Sequence, residues 1–368
     1  MSRARGALSG ARAARRRGLP GARGVPLLAG LLALLAVLVP AALGIGAVHI
    51  APSEIAAIVA ARLGVEIPGW TYAPQQAAVL LAIRLPRTLL GLLAGGTLGA
   101  CGAAIQALFR NPLADPTLIG TASGAALGAA LAIVLLPTLP FAAPAWLGAA
   151  TLPLAAFAGS AATTALVYRL AARDGVTPVA TLLLAGIALT ALANAGVGLL
   201  TYLASDAQLR SLVFWNLGSL GGATWQALAG AAPWLLLTLA LLPASATALN
   251  LLLLGEREAR HLGIDVERLT RRTVFLVALG VGAAVAVCGV IGFVGLMVPH
   301  LVRLIAGPDH RIVLPGSMAL GAALLIGADL VSRTIVAPAE LPIGVVTAFA
   351  GAPFFLWLLR RTPAQRWG

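Results

Sequence analysis

The residues able to do chemistry are few, and they cluster. The stretch LLLLGEREARHLGIDVERLTRR, residues 251–272, holds Glu256, Glu258, Asp265 and Glu267, four of the 12 acidic residues, among five arginines. Carboxylates interleaved with guanidinium groups make ion pairs more readily than a general acid–base pair. Glu256 and Arg260 stand at i,i+4 in the favourable order. Gly255 interrupts the apolar helix before them, Gly263 is placed to cap the short helix they occupy, and Asp265 to N-cap a second short helix carrying Val266 and Leu269. Two short helices meeting at a glycine over about 255–270 form a compact knob, not a span. Ala259, Leu262 and Ile264 break up the charge with small apolar contacts, as a partner's groove requires. An ordinary charged loop is the competing reading.

The other reactive groups are scattered. His300, in VPHLVRL, and His310, in GPDHR, lie toward the inner face at helix ends, where a structural role outweighs ligation of a passing iron. Asp329 falls within an apolar run; pairing with Arg333 at i,i+4 accounts for it more simply than ion coupling does. Cys101 and Cys288 sit inside apolar helices as small packing residues. With no nucleophile–base pair and no metal-ligand cluster in the pattern, neither a catalytic residue nor a metal site is expected. A Walker A loop needs a lysine for the phosphates. The chain has none, so ATP hydrolysis is expected from another subunit.

The elements that carry these residues are membrane helices. With 60% hydrophobic and 10% charged residues over 368 positions, and a mean hydropathy of +0.97, the chain is far from a soluble domain. Runs of roughly 20 apolar residues, enough for a bilayer crossing, are laid out at 25–49, 87–109, 116–136, 143–170, 178–203, 226–247, 272–292, 294–306, 313–333 and 342–360. The expected fold is an all-α polytopic membrane protein of about ten transmembrane helices. The net charge of +13 would suggest nucleic acid in a soluble protein, but here arginine positions set orientation instead. Cytoplasmic termini place twenty of the 25 basic residues inside and leave Arg62, Arg84, Arg87, Arg210 and Arg333 outside. The arginine-rich arm at 1–24 is then an orientation signal and a lipid contact, 25–361 the membrane domain, and 362–368 a cytoplasmic tail. The first apolar run is too long for a cleaved signal peptide.

Gly91, Gly95, Gly99 and Ala103, then Gly120, Gly124 and Gly128, recur every four residues, a stripe that lets membrane helices approach closely. The outside segment SDAQLRSLVFWNLGSLGGATW reads as a short helix, with Ser205 and Gln208 in capping-box spacing and Leu209, Leu212 and Val213 on one face. Its Arg210 either pairs with Asp206 at i,i+4 or meets an anionic group at the entrance.

The knob, together with IRLPRTLLGLLAGGTLGACGAAIQALFRNPLADPTLIG, LLLAGIALTA, GFVGLMVPHLVRL and ELPIGVVTAFAGAPFFLWLL, resembles the FecCD-type permease subunits of type II ABC importers, which carry cobalamin, iron–siderophores or haem. The likeness runs from about Arg84 to Arg361. It implies a homodimer in a bacterial inner membrane with a central translocation path. It also implies two ATPase subunits that bind ATP and Mg, and a periplasmic binding protein. Gly255, Glu256, Glu258, Ala259, Arg260, Leu262 and Gly263 then correspond to the ATPase-coupling element, and Arg84, Arg87 and Arg333 to cations that meet acidic residues of the binding protein. Asn111 and Leu113 match positions that narrow the cytoplasmic exit, while the segment at 178–181 departs from the family's second constriction. The outside segment at 201–225 is most similar to haem-importing members, with Arg210 as the contact for a haem propionate; ferric siderophore or cobalamin is the alternative cargo. No cofactor is expected in the chain itself. An ion-coupled secondary transporter is the competing class.

Overall fold

The computed structural model describes residues 23–65, 67–138, 148–172 and 177–361. The arm at 1–22, the tail at 362–368 and the first residues of the expected fourth span lie outside the described residues. Those described form helices and connecting turns, with no strand among them: α1 Gly24–Gly44, α2 Pro52–Arg62, α3 Pro74–Leu108, α4 Thr121–Val134, α5 Thr151–Ala171, α6 Val179–Leu203, α7 Asp206–Asn216, α8 Trp225–Leu252, α9 Glu256–His261, α10 Val266–Cys288, α11 Val294–Ala306, α12 His310–Thr334 and α13 Ile343–Arg361.

Seven of these, α1, α3, α5, α6, α8, α10 and α12, are long and apolar enough to cross a membrane. Three shorter apolar helices, α4, α11 and α13, stand where the remaining expected spans lie. Two expectations about extent need correction. The second span begins not near residue 87 but at Pro74, and the second helix of the knob is not short: Val266 starts a 23-residue helix that continues to Cys288. Asp265 does cap it, accepting from the Arg268 amide at 2.9 Å.

The core is α3, packed against α12, α10, α11 and α8. The small-residue stripe explains the closest of these packings, because a methyl added at Gly99 would overlap the Ser317 carbonyl of α12. Cys101 and Cys288 are buried and unpaired, as packing residues should be.

Between α10 and α11 the backbone runs non-helically from residue 289 to 293. Around this segment Ser219 N donates to the Cys288 carbonyl (2.8 Å), and Ile343 N and Gly344 N donate to the Gly218 and Leu217 carbonyls (both 3.0 Å). The end of α7, the end of α10 and the start of α13 are therefore laced together.

Candidate functional site

At the outer end, α3 widens over Leu80–Arg84 into a π turn. The indole Nε1 of Trp225 donates to the Leu81 carbonyl there (2.8 Å). The last residue of the turn, Arg84, directs its guanidinium to the last carbonyls of α1, Leu43 (2.6 Å) and Gly44 (2.8 Å), and to Val48. Arg333 of α12 reaches the Ala42 carbonyl at 2.6 Å. The final carbonyls of a helix lack intrahelical partners and carry its negative end, so two cations there satisfy both needs.

One turn deeper, Arg87 is only 6% exposed and Asp329 4%. Arg87 donates from Nε to Asp329 Oδ1 (2.9 Å) and from Nη1 and Nη2 to the two carboxylate oxygens of Glu340 (2.9 Å each). Asp329 also faces Arg333 Nε at 3.5 Å, the i,i+4 pairing expected from sequence. Two guanidinium groups meet two carboxylates, so the cluster is neutral, and a buried charge is tolerable only when so paired. Glu340, on the loop between α12 and α13, has its carboxyl held below the ordinary carboxylate range, first by the Arg87 hydrogen bonds and against the effect of its partial burial.

This geometry corrects the expectation that Arg84, Arg87 and Arg333 present free charge to a docking partner. Their heads are turned inward and spent on α1, Asp329 and Glu340. Exposed cations on that side, among the described residues, are Arg62 and Arg210.

Arg210 lies on α7, whose predicted start is present: Ser205 N donates to Gln208 Oε1 (2.9 Å), and Ser205 Oγ accepts from Gln208 N. Of the apolar trio on α7 only Leu212 is buried; Leu209 and Val213 are exposed. Among the described residues Arg210 has no ion-pair partner, Asp206 included.

At the opposite end, α9 is framed by Gly255 (φ 128°) and Gly263 (φ 84°), both in the region where a side chain strains the backbone. Its ion pairs differ from the expected i,i+4 one. Arg260 pairs with Glu267 (3.2 Å), while Glu256 looks toward Arg110 at 4.0 Å. Ala259 is fully buried against this chain's own core and is not available to a partner, whereas Leu262 is 57% exposed. The apolar contact the knob offers is therefore Leu262. Glu258, like Leu262, is exposed.

Glu267 has a second partner that sequence reasoning missed: its Oε2 accepts from the Thr177 amide (3.0 Å), just before α6. The knob is thus tied directly to the start of α6. A further clasp lies nearby, where Asn250 donates to Asp309 (2.7 Å) and accepts from the His310 amide and ring Nδ1 (2.8 and 2.9 Å). His310 is a structural residue on this geometry. His300 packs edge-on to Phe354, with ring centroids 6.1 Å apart, and neither ring nitrogen has a hydrogen-bond partner among the described residues.

Asn111 and Leu113 occupy the turn between α3 and α4. Asn111 is exposed, and its Oδ1 accepts from the Leu113 amide at 2.9 Å, which is a side-chain-stabilised turn. Pro178 and Ala180, at the position of the other constriction, are exposed at the start of α6.

Helix α6 is the least enclosed of the long spans beside α1. One face exposes Ala188, Ala191, Asn194, Ala195 and Gly198 together with Leu184, Ile187 and Tyr202. An amide exposed midway along a membrane helix is costly in hydrocarbon, so this face is built for protein or water. The signal was present in the sequence as the single Asn of the run LLLAGIALTALANAGVGLL. A cavity of about 650 Å³, lined by Phe157, Trp215, Trp234 and Cys288 among others, opens elsewhere, between α5, α7, α8 and α10.

A long membrane bundle with a knob tied to an open-faced span is the plan of a permease, and comparison with known proteins agrees. Residues 34–361 match the FecCD transport family. The chain belongs to that family. It is 47% identical over 290 residues to the hemin transport system permease protein HmuU of Yersinia pestis, covering 79% of this chain and 85% of HmuU. It is 42% identical over 288 residues to the cobalamin import system permease BtuC of Halobacterium salinarum, covering 78% and 75% respectively. To the vitamin B12 import permease BtuC of Escherichia coli O127:H6 it is 42% identical over 305 residues, 80% and 87% of the two chains. Among solved structures, an inward-facing transporter assigned to the metal-chelate ABC type superimposes with a TM-score of 0.77 at 33% identity, over 92% of this chain and 99% of that one. The chain is therefore a multi-pass ABC importer permease, a transport subunit and not itself the hydrolytic one.

Proposed function

We propose that this permease carries haem inward across a bacterial inner membrane. It works as a homodimer whose α6 faces line the path, driven by two ATPase subunits that hold ATP and Mg, and fed by a periplasmic binding protein. The observation that carries the cargo assignment is the higher identity to the hemin permease, 47% against 42% for cobalamin permeases. The chemistry is compatible: haem offers a flat apolar face and two propionates. The largely apolar exposed face of α6, with Leu184 and Ile187 among its alanines, suits the first, and Arg210 at the outer end suits the second. Cobalamin is the second reading, favoured by its relatives at 42%.

Coupling follows from the knob. Leu262 seats in the ATPase, and displacement of α9 passes through Arg260 and Glu267 to Thr177 and the start of α6. Growth of a haem-requiring strain on hemin, with the permease, its ATPase and its binding protein supplied together, tests the cargo. Arg210→Ala is expected to slow this growth while the complex still assembles. Growth equal to wild type would remove Arg210 from the path.

A further inference from the structure

Arg268, Arg271, Arg272 and Phe275 are all exposed on α10, at i, i+3, i+4 and i+7, and so share one face. None of the three arginine side chains has an ion pair among the described residues. The nearby acids are engaged elsewhere: Glu267 by Arg260 and Thr177, and Asp265 by the Arg268 amide. Three unpaired cations in the first two turns also stand at the positive end of the helix, which raises their mutual cost. An anion relieves both effects. Phe275, one turn further in and 62% exposed, sets an apolar surface beside the three cations, the pairing of charge and hydrocarbon that an anionic lipid matches. Helices α5 and α8 both pack on α10, and Phe157 and Trp234 from these two stack at 6.2 Å.

We infer that Arg268, Arg271 and Arg272 hold the phosphate headgroup of an anionic phospholipid, in the leaflet on the arginine-rich side, with Phe275 packed along its acyl chain. Arginine suits a phosphodiester because its planar fork can donate two parallel hydrogen bonds. The site lies beside Glu267, so a bound lipid would fix the height of the knob in the membrane.

The test is native mass spectrometry of the assembled transporter, titrated with phosphatidylglycerol and, separately, phosphatidylcholine. R268Q/R271Q/R272Q is expected to weaken phosphatidylglycerol binding on the order of 100-fold, and R271Q alone about five-fold, from the contribution of one basic residue near an anionic surface. Phosphatidylcholine, which has the phosphodiester but no net charge, should bind wild type more weakly and lose less in the variants, and R257Q on the knob should leave both lipids unchanged. Equal phosphatidylglycerol affinity in wild type and R271Q would overturn the assignment, whether or not the triple variant assembles. Loss of the ATPase subunit with lipid affinity retained would overturn it too, and give the arginines to a protein contact.

Discussion

Replacing Arg87 separates an internal fastener from a docking charge. In Arg87→Ala, Asp329 keeps only Arg333, at 3.5 Å, while remaining 4% exposed. Removing one partner of a buried ion pair costs about 3–5 kcal/mol when the other charge is left uncompensated; Arg333 retains part of the compensation here, so the lower end, about 3 kcal/mol, is expected. The Glu340 arm contributes far less: its side chain is 43% exposed and water can replace the guanidinium, so Glu340→Ala should cost about 1 kcal/mol or less. The double replacement Arg87→Met with Asp329→Leu removes the stranded carboxylate but leaves Arg333 with only the Ala42 carbonyl, so it should recover part of the loss. Thermal unfolding of the purified permease, followed by the loss of its monodisperse gel-filtration peak, ranks the variants. The expected order of stability is wild type, Glu340→Ala, the double variant, then Arg87→Ala. An Arg87→Ala protein as stable as wild type, yet at least ten-fold weaker for the binding protein, would refute the reasoning and restore the docking role.

Three other outcomes follow from the same geometry. Glu267→Ala should cut the Arg260–Glu267–Thr177 link, leaving ATPase activity of the assembled complex largely intact and reducing transport per ATP; unchanged coupling would show that the knob moves α6 by another route. Leu262→Cys, not Ala259→Cys, should crosslink to a cysteine in the ATPase groove, and Gly263→Pro, incompatible with φ 84°, should uncouple hydrolysis; transport at wild-type level in Gly263→Pro would contradict this. The depressed carboxyl of Glu340 contributes stability that is full above its ordinary value of 4.5 and is lost as pH falls through its lower folded value. Between pH 7 and 5 that contribution is constant, so Glu340 should add no slope to stability there, and Glu340→Gln should shrink only the acid limb below pH 4.5; a Glu340-dependent slope near neutrality would contradict the assignment.

The spans were legible in the sequence because uninterrupted apolar runs have few alternatives, and the knob because glycines frame a charged helix on both sides. What the sequence hid were partners far apart in the chain. Arg87 meets Asp329 across 242 positions and Glu340 across 253, and no local pattern marks Glu340 as its mate. Proximity to helix mouths made Arg84, Arg87 and Arg333 look like surface charges; burial, which periodicity around Arg84 does not reveal, turned them into fasteners. The expected Glu256–Arg260 pair lost to Glu267 because α9 ends at His261 and the glycine turn brings the start of α10 back beside it. Ala259, apolar and flanked by charge, read equally well as a contact for a partner or for this chain.

The most direct measurement of the central claim is ATP-dependent uptake into proteoliposomes holding the complete transporter, with its binding protein outside the inward-facing surface and haem, cobalamin or a ferric siderophore offered in turn. Accumulation of haem that requires ATP and the binding protein, with little of the other two, is the expected result. Robust uptake of cobalamin or of a ferric siderophore with no haem uptake in the same vesicles would contradict the cargo assignment.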